Sequence, residues 1–300
     1  MNNILETQGL GKRYRNGWAL QECTLHLPKG RVVGLIGLNG AGKTTFMRLA
    51  AGLLIPDAGS LRVCGETPAP NSCAFLANIG FVPQEHGLYL DFSVREMLTL
   101  GRKLNKRWDE TLVKRSLDRL HISPQHKVGK LSGGQRAQLA LVLAMAKQPQ
   151  LLLLDEPLAN VDPLARREFM KMLMEMAVEQ EVTILISSHI LSDLENTCDY
   201  LIILSSSRVL LAEDSEQLLA MHKRVIVPEE HVALLAAQHV VIQSSQSGRS
   251  SSLLLRLNGP LVAEPNWQIK DITLEDITLA YLELPVDSLA HVAPTKQEVF

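Results

Sequence analysis

The sequence predicts an α/β fold, on three observations. Residues 31–36, 151–154 and 182–186 are short apolar runs of the kind that fills the middle of a parallel sheet. Residues 44–51 and 163–179 carry apolar side chains at helical spacing and follow two of those runs. Polar or glycine-rich residues stand where the runs end, the edge at which open α/β sheets bind their ligands.

The first such edge carries the strongest motif. Gly37-Leu38-Asn39-Gly40-Ala41-Gly42-Lys43-Thr44, followed by Thr45, fills every fixed position of G-x-x-x-x-G-K-S/T between a strand and a helix. Glycines let successive backbone N–H groups point into one concavity, and the helix adds its positive end. A glycine-rich turn before a helix is the plain alternative, but the flanking strand and helix favour a nucleoside triphosphate site. Lys43 would reach the β- and γ-phosphates, and the Thr44 hydroxyl would hold Mg²⁺.

Composition sets the frame for that site. Across 300 residues, 46% hydrophobic and 21% charged content describe a globular protein long enough for a large domain and a small one. A formal net charge of −2 gives no global attraction to nucleic acid or anionic lipid. Cys23, Cys64, Cys73 and Cys198 are scattered without a C-x-x-C pair, so they read as reduced thiols rather than disulfides or metal ligands. The N-terminus lacks a secretory pattern, and no apolar run approaches the roughly 20 residues of a membrane span, so a soluble, cytoplasmic chain is expected.

In chain order, residues 4–7, 18–20 and 23–27 are expected as short strands, with Asn16-Gly17 as a hairpin turn. Tyr14 could stack on a base or be an ordinary half-buried strand aromatic. Residues 61–64 and 79–82 are further strands, the latter ending at Pro83-Gln84-Glu85. Residues 91–119 read as helical, with Ser93 and Glu96 spaced as a capping box. Arg102, Lys103, Lys106 and Arg107 mark a solvated face, and no nucleic-acid partner is expected. Ser132-Gly133-Gly134-Gln135 opens a helix from 136 to 147, either as a plain N-cap or as a second anion-binding terminus.

The run at 151–154 delivers Asp155 and Glu156 to the ligand edge. There Asp155 would help hold Mg²⁺, and Glu156 would orient and deprotonate an attacking water. Met170, Met172, Met174 and Met176 read as core filler. His189 ends the strand expected beside the Asp-Glu strand, which suits a γ-phosphate contact better than a structural role. Residues 201–204 and 209–211 complete a β-rich run.

Together, Tyr14, residues 37–45, Gln84, Leu131 to Gln135, Asp155-Glu156-Pro157, Asn160 to Pro163 and His189 resemble the nucleotide-binding subunit of an ABC transporter. The resemblance covers about residues 4–219. It implies a P-loop, RecA-like core with an antiparallel β subdomain and a helical signature subdomain at about 85–148. It also implies ATP and Mg²⁺ as ligands, a second ATP-binding subunit and separate transmembrane permease subunits at the cytoplasmic face of a membrane. By resemblance Tyr14 is the adenine-stacking aromatic, with Trp18 the runner-up, and Gln84 senses Mg²⁺ and the lytic water. Ser132, Gly133, Gly134 and Gln135 contact the γ-phosphate held by the opposite subunit. Asp155 is the Walker B ligand, Glu156 the catalytic base, Asp162 the aspartate at the dimer interface and His189 the switch histidine. Leu158, Asn160 and Gln138 depart from the common pattern without removing a catalytic group.

Residues 220–284 are expected as a small α+β extension and 285–300 as a loose tail. Strands are expected at 224–227, 240–242 and 253–257, with a polar loop at 244–250 and a capped helix at 273–282. An extension ending in Leu274-Glu275-Asp276 is similar to those of bacterial drug- and antibiotic-export ATPases, which implies export. An importer, and an ATPase acting on ribosomes or DNA, are the alternative readings.

Overall fold

The computed structural model describes residues 3–69, 72–159, 161–188, 194–195, 197–248 and 250–284. The chain opens with an antiparallel hairpin of β1 (Asn3–Tyr14) and β2 (Gly17–Pro28), closed where Tyr14 pairs with Gly17. The short strands expected here are parts of two 12-residue strands. Register shifts absorb the breaks in the pattern, as β-bulges do. After β3 (Val32–Ile36) and α1 (Lys43–Ala50), β4 (Ala58–Val63) returns to the other side of β1, giving the three-stranded order β2-β1-β4.

The central sheet has six strands. Following α2 (Cys73–Ala77), it takes β5 (Ile79–Val82), β6 (Leu151–Asp155), β7 (Thr183–Ser188), β8 (Tyr200–Ser205) and β9 (Arg208–Asp214) in the order β5-β6-β7-β3-β8-β9. All neighbours are parallel except β8 and β9. The leucines of β6 show why this sequence makes a covered sheet. Leu152 and Leu154 enter one core cluster and Leu151 and Leu153 the other, so alternate side chains fill both faces and no polar face is left.

Between β5 and β6 the chain inserts three helices, α3 (Val94–Leu104), α4 (Glu110–Leu120) and α5 (Gly133–Ala146). The single helical stretch expected at 91–119 is thus two helices. Asn105 leaves α3 with an extended backbone, and the Asp109 carboxylate accepts the Leu112 N–H to start α4 afresh. The Ser93–Glu96 capping box forms as expected. Between β6 and β7 runs α6 (Pro163–Gln180), capped by Asp162, with Met170, Met172 and Met176 in the core.

The C-terminal part holds α7 (Ser215–Met221), β10 (His222–Pro228), α8 (Val232–Gln238), β11 (Val240–Ser247), β12 (Ser250–Arg256), β13 (Gln268–Lys270) and α9 (Leu274–Glu283). Its antiparallel sheet has the order β11-β12-β10-β13. The serine-rich stretch expected as a loop is strand, because its backbone ladder pairs Ser245 with Ser252 and Ser247 with Ser250 around a turn at Gly248. Helix α7 runs through residues 219 and 220. Leu274, Ile277, Ala280 and Tyr281 of α9 lie in one core cluster with Leu201 and Ile203 of β8. Residues 285–300 lie outside the described residues, as do Asn160 and His189.

A buried hydrogen-bond chain fastens α9 to this layer. His222 Nδ1 lies 2.8 Å from the Leu218 carbonyl, which can only accept, so Nδ1 carries the ring proton. Nε2 is then the acceptor for the Tyr281 hydroxyl at 2.9 Å. Burial pushes the His222 pKa down to about 4. The unfolded chain, titrating near the ordinary value of about 6.5, takes up a proton first as pH falls. Stability carried by His222 is therefore full above pH ~6.5 and declines toward pH ~4, by about 3 kcal/mol in total. Urea unfolding of wild type and His222→Gln at pH 7 and 4.5 checks this: the variant should lose less stability than wild type over that interval.

Candidate active site

The phosphate-loop motif sits between β3 and α1, beside the N-terminal hairpin. Gly42 has φ 109°, and a Cβ there would come within 2.4 Å of the Ala19 carbonyl oxygen of β2, so only glycine fits. Asn39 and Gly40 are exposed, and Ala41 is buried beneath them. Helix α1 starts directly at Lys43, with Thr44 and Thr45 in its first turn, so its unpaired N–H groups face the loop.

Lys43 is only 5% exposed. Its ammonium donates to the Gly37 carbonyl at 2.8 Å and to that of Leu38 at 3.4 Å, and it forms an ion pair with Glu156 Oε1 at 3.2 Å. A buried pair of this kind is sensitive to the loss of either member, because the remaining charge is left without its partner.

Asp155, at the end of β6, is the centre of the cluster at 2% exposure. Its Oδ1 accepts the Thr44 hydroxyl at 3.1 Å and the Ser187 hydroxyl at 3.0 Å. Ser187 Oγ in turn accepts the Glu156 N–H at 2.9 Å. The next residue, Glu156, has φ 45°, a left-handed backbone that a side chain of this size rarely adopts. The turn aims its carboxylate back at Lys43. Thr44 and Asp155 thus supply oxygen donors on one spot, the donor type that hard Mg²⁺ prefers when phosphates and water complete its shell.

The other expected site residues are near this cluster or on separate surfaces. Gln84 follows β5, whose Val82 pairs with Leu154, so the glutamine stands two positions beyond that pair, as Glu156 does on β6. It is exposed in a turn, and His86 of that turn bonds through Nε2 to the Pro157 carbonyl at 3.1 Å. Tyr14 is at the turn end of the β1–β2 hairpin, 46% exposed, and Trp18 lies under the Arg13 guanidinium, 5.9 Å from the ring centroid.

Ser132 caps α5 with the Gln135 N–H on its hydroxyl and Gln135 Oε1 on its own N–H, a complete capping box. Gly133 opens that helix. A Cβ on Gly134 would come 2.7 Å from the Ala165 Cβ, so this turn is packed against the start of α6, next to Asp162. Ser132 to Gln135 thus stand at the start of α5, on a different element from the Lys43–Asp155 cluster. Ser187 and His86 had no assigned role in the sequence: a serine in a strand and a histidine in a turn are too common to single out.

Comparison with known proteins fits this arrangement. The sequence pattern of the family described as ABC transporter matches residues 20–159. "Probable multidrug ABC transporter ATP-binding protein YbhF" of Escherichia coli is 35% identical over 280 residues, covering 90% of this chain and 46% of that protein. The chain therefore spans about half the length of that relative. "Bacitracin transport ATP-binding protein BcrA" of Bacillus licheniformis is 32% identical over 212 residues, covering 70% of this chain and 69% of BcrA. A solved ATP-binding subunit of an ABC transporter superposes with a TM-score of 0.65 at 28% identity, over 72% of this chain and 92% of its own. With its phosphate loop, acidic strand end and Ser-Gly-Gly helix start in the places described, the chain belongs to the ABC transporter ATP-binding proteins.

Proposed function

We propose that this chain hydrolyses ATP as one of two cassette subunits that clasp nucleotide between them, and that hydrolysis drives export of a small molecule through separate membrane subunits. The observation that carries the reading is the convergence of Lys43, Thr44, Asp155, Glu156 and Ser187 at one sheet edge.

The loop N–H groups and Lys43 bind and orient the β- and γ-phosphates. Mg²⁺, held by Thr44 and Asp155, would neutralise charge on those phosphates. Ser187 fixes the Asp155 carboxylate and the Glu156 backbone together. Glu156 takes a proton from a water aligned with the γ-phosphorus. The water oxygen bonds to that phosphorus as the bridging P–O bond breaks, releasing phosphate and leaving ADP. Gln84 and His189 are assigned to the same step as sensors of water and γ-phosphate, and Tyr14 to the adenine.

Ser132, Gly133, Gly134 and Gln135 serve the nucleotide of the opposite subunit, with Asp162 at that interface. A two-fold, isologous dimer puts each such turn over the other's phosphate loop. Loss of the γ-phosphate contacts then lets the pair open, a ligand-biased two-state switch. Among the described residues no helix is long and apolar enough to cross a membrane, so the cargo path is assigned to partner subunits. Exposed Tyr89, Leu90 and Phe92, just past Gln84, offer an apolar surface for them, and the chain is assigned with them to the cytoplasmic face of the membrane. Export is favoured over import by the relatives, of which two are named for multidrug and bacitracin transport.

Three outcomes test the reading. Glu156→Gln should still bind ATP and form a nucleotide-dependent dimer on size-exclusion chromatography, with kcat for phosphate release down by about 100-fold or more. Phosphate release at the wild-type rate would remove Glu156 from its role. Chelation of divalent cations should abolish turnover and added Mg²⁺ should restore it, whereas turnover that survives chelation would exclude Thr44 and Asp155 as metal ligands. Ser187→Ala should lower stability by about 1–2 kcal/mol in urea unfolding, since the buried Asp155 oxygen loses a donor.

A further inference from the structure

Glu156 occupies a backbone state that needs support from its surroundings. Its φ of 45° lies in the left-handed region, which a side chain of this size disfavours, and the proline that follows restricts it further. A residue held this way persists only where neighbouring structure over-determines it. One restraint is the Ser187 hydroxyl, which accepts the Glu156 N–H at 2.9 Å. Within the turn, the Ala159 N–H bonds back to the Glu156 carbonyl at 3.1 Å. Neither of these acts on the carbonyl of Pro157.

That carbonyl is met from the neighbouring strand end. In the turn after β5 the His86 N–H bonds to the Pro83 carbonyl at 2.7 Å, and His86 and Gly87 are both left-handed, at φ 63° and 64°. This winding turns the half-buried His86 ring toward the end of β6, which pairs with β5. Its Nε2 lies 3.1 Å from the Pro157 carbonyl, which can only accept, so Nε2 carries a proton and donates it. The turn bearing Glu156 is thus held from both neighbours of β6, by Ser187 of β7 and by His86 after β5. Lys43 is fixed separately, by the Gly37 and Leu38 carbonyls, so phosphate binding does not depend on the His86 bond.

We propose that His86 is a positioning residue for ATP hydrolysis, which through the Pro157 carbonyl holds the strained turn that aims the Glu156 carboxylate. The proposal rests on the ATPase reading and on Glu156 as its base. Loss of the bond lets the turn relax and moves the proton acceptor, while the nucleotide stays bound.

The test compares His86→Ala with His86→Gln, whose side-chain amide still donates at a similar reach. Both put an ordinary side chain at the same left-handed position, so they share any backbone cost and differ in the donor. Phosphate release, equilibrium binding of ATP and hydrogen exchange of the Glu156 and Ala159 amides are measured in the full chain. In His86→Ala, kcat should fall about tenfold with an unchanged Kd for ATP, and exchange should quicken at both amides. His86→Gln should keep kcat to within about threefold of wild type. A wild-type kcat in His86→Ala overturns the proposal, as do equal losses in the two variants, unchanged exchange, or a fall in kcat matched by weaker ATP binding. A wild type that binds ATP and releases no phosphate overturns the ATPase reading itself, and unchanged exchange in His86→Ala then rejects the His86 link on its own.

Discussion

Two hydroxyls from different elements meet on one oxygen of Asp155, and the geometry of the site depends on that meeting. Thr44 reaches it from α1 and Ser187 from β7. The strands must therefore be adjacent and in register. Asp155 pairs with Ser187 across β6 and β7, and Ile36 pairs with Ser188 across β7 and β3. A one-residue slip in either ladder would turn the acidic or hydroxyl side chain to the opposite face. The leucines of β6, and Ile184 and Ile186 of β7 on one face with Leu185 on the other, make such a slip costly.

Much of this was legible in the sequence because the relevant signals are local. Runs such as Leu151 to Leu154 have only one comfortable environment, and Ser93, Ser132 and Thr273 each stand three residues before a side chain that completes a capping box. Other features depend on partners distant in the chain. The helical propensity of residues 91–119 hides the break at Asn105, which is set by a cap on Asp109 and by Arg107 reaching the Asn78 side chain. Serine composition suggested a loop at 244–250, but the partner strand supplies a backbone ladder to which side-chain polarity is indifferent. The left-handed turn at Glu156 and the bridging hydroxyl of Ser187 leave no mark on composition or period.

The C-terminal region joins the six-stranded sheet through a mixed contact. Apolar residues of α9 lie against β8, while the His222 ring and the Tyr281 hydroxyl satisfy each other in the interior. Arg256 adds an ion pair to Glu213 of β9 at 2.9 Å, joining the second sheet to the first. Apolar area supplies most of the attachment, and the polar pairs fix its orientation, since an unpaired group there would carry the full cost of its lost hydration.

The absence of clearance between Gly134 and Ala165 has a consequence for recognition. The first turns of α5 and α6 touch backbone to side chain, so neither can tilt without displacing the other. Ser132 and Asp162, the caps of those two helices, are consequently presented as one rigid edge. Any neighbouring molecule that meets this edge must accept both at once, which makes docking an all-or-none event rather than a sequence of independent contacts.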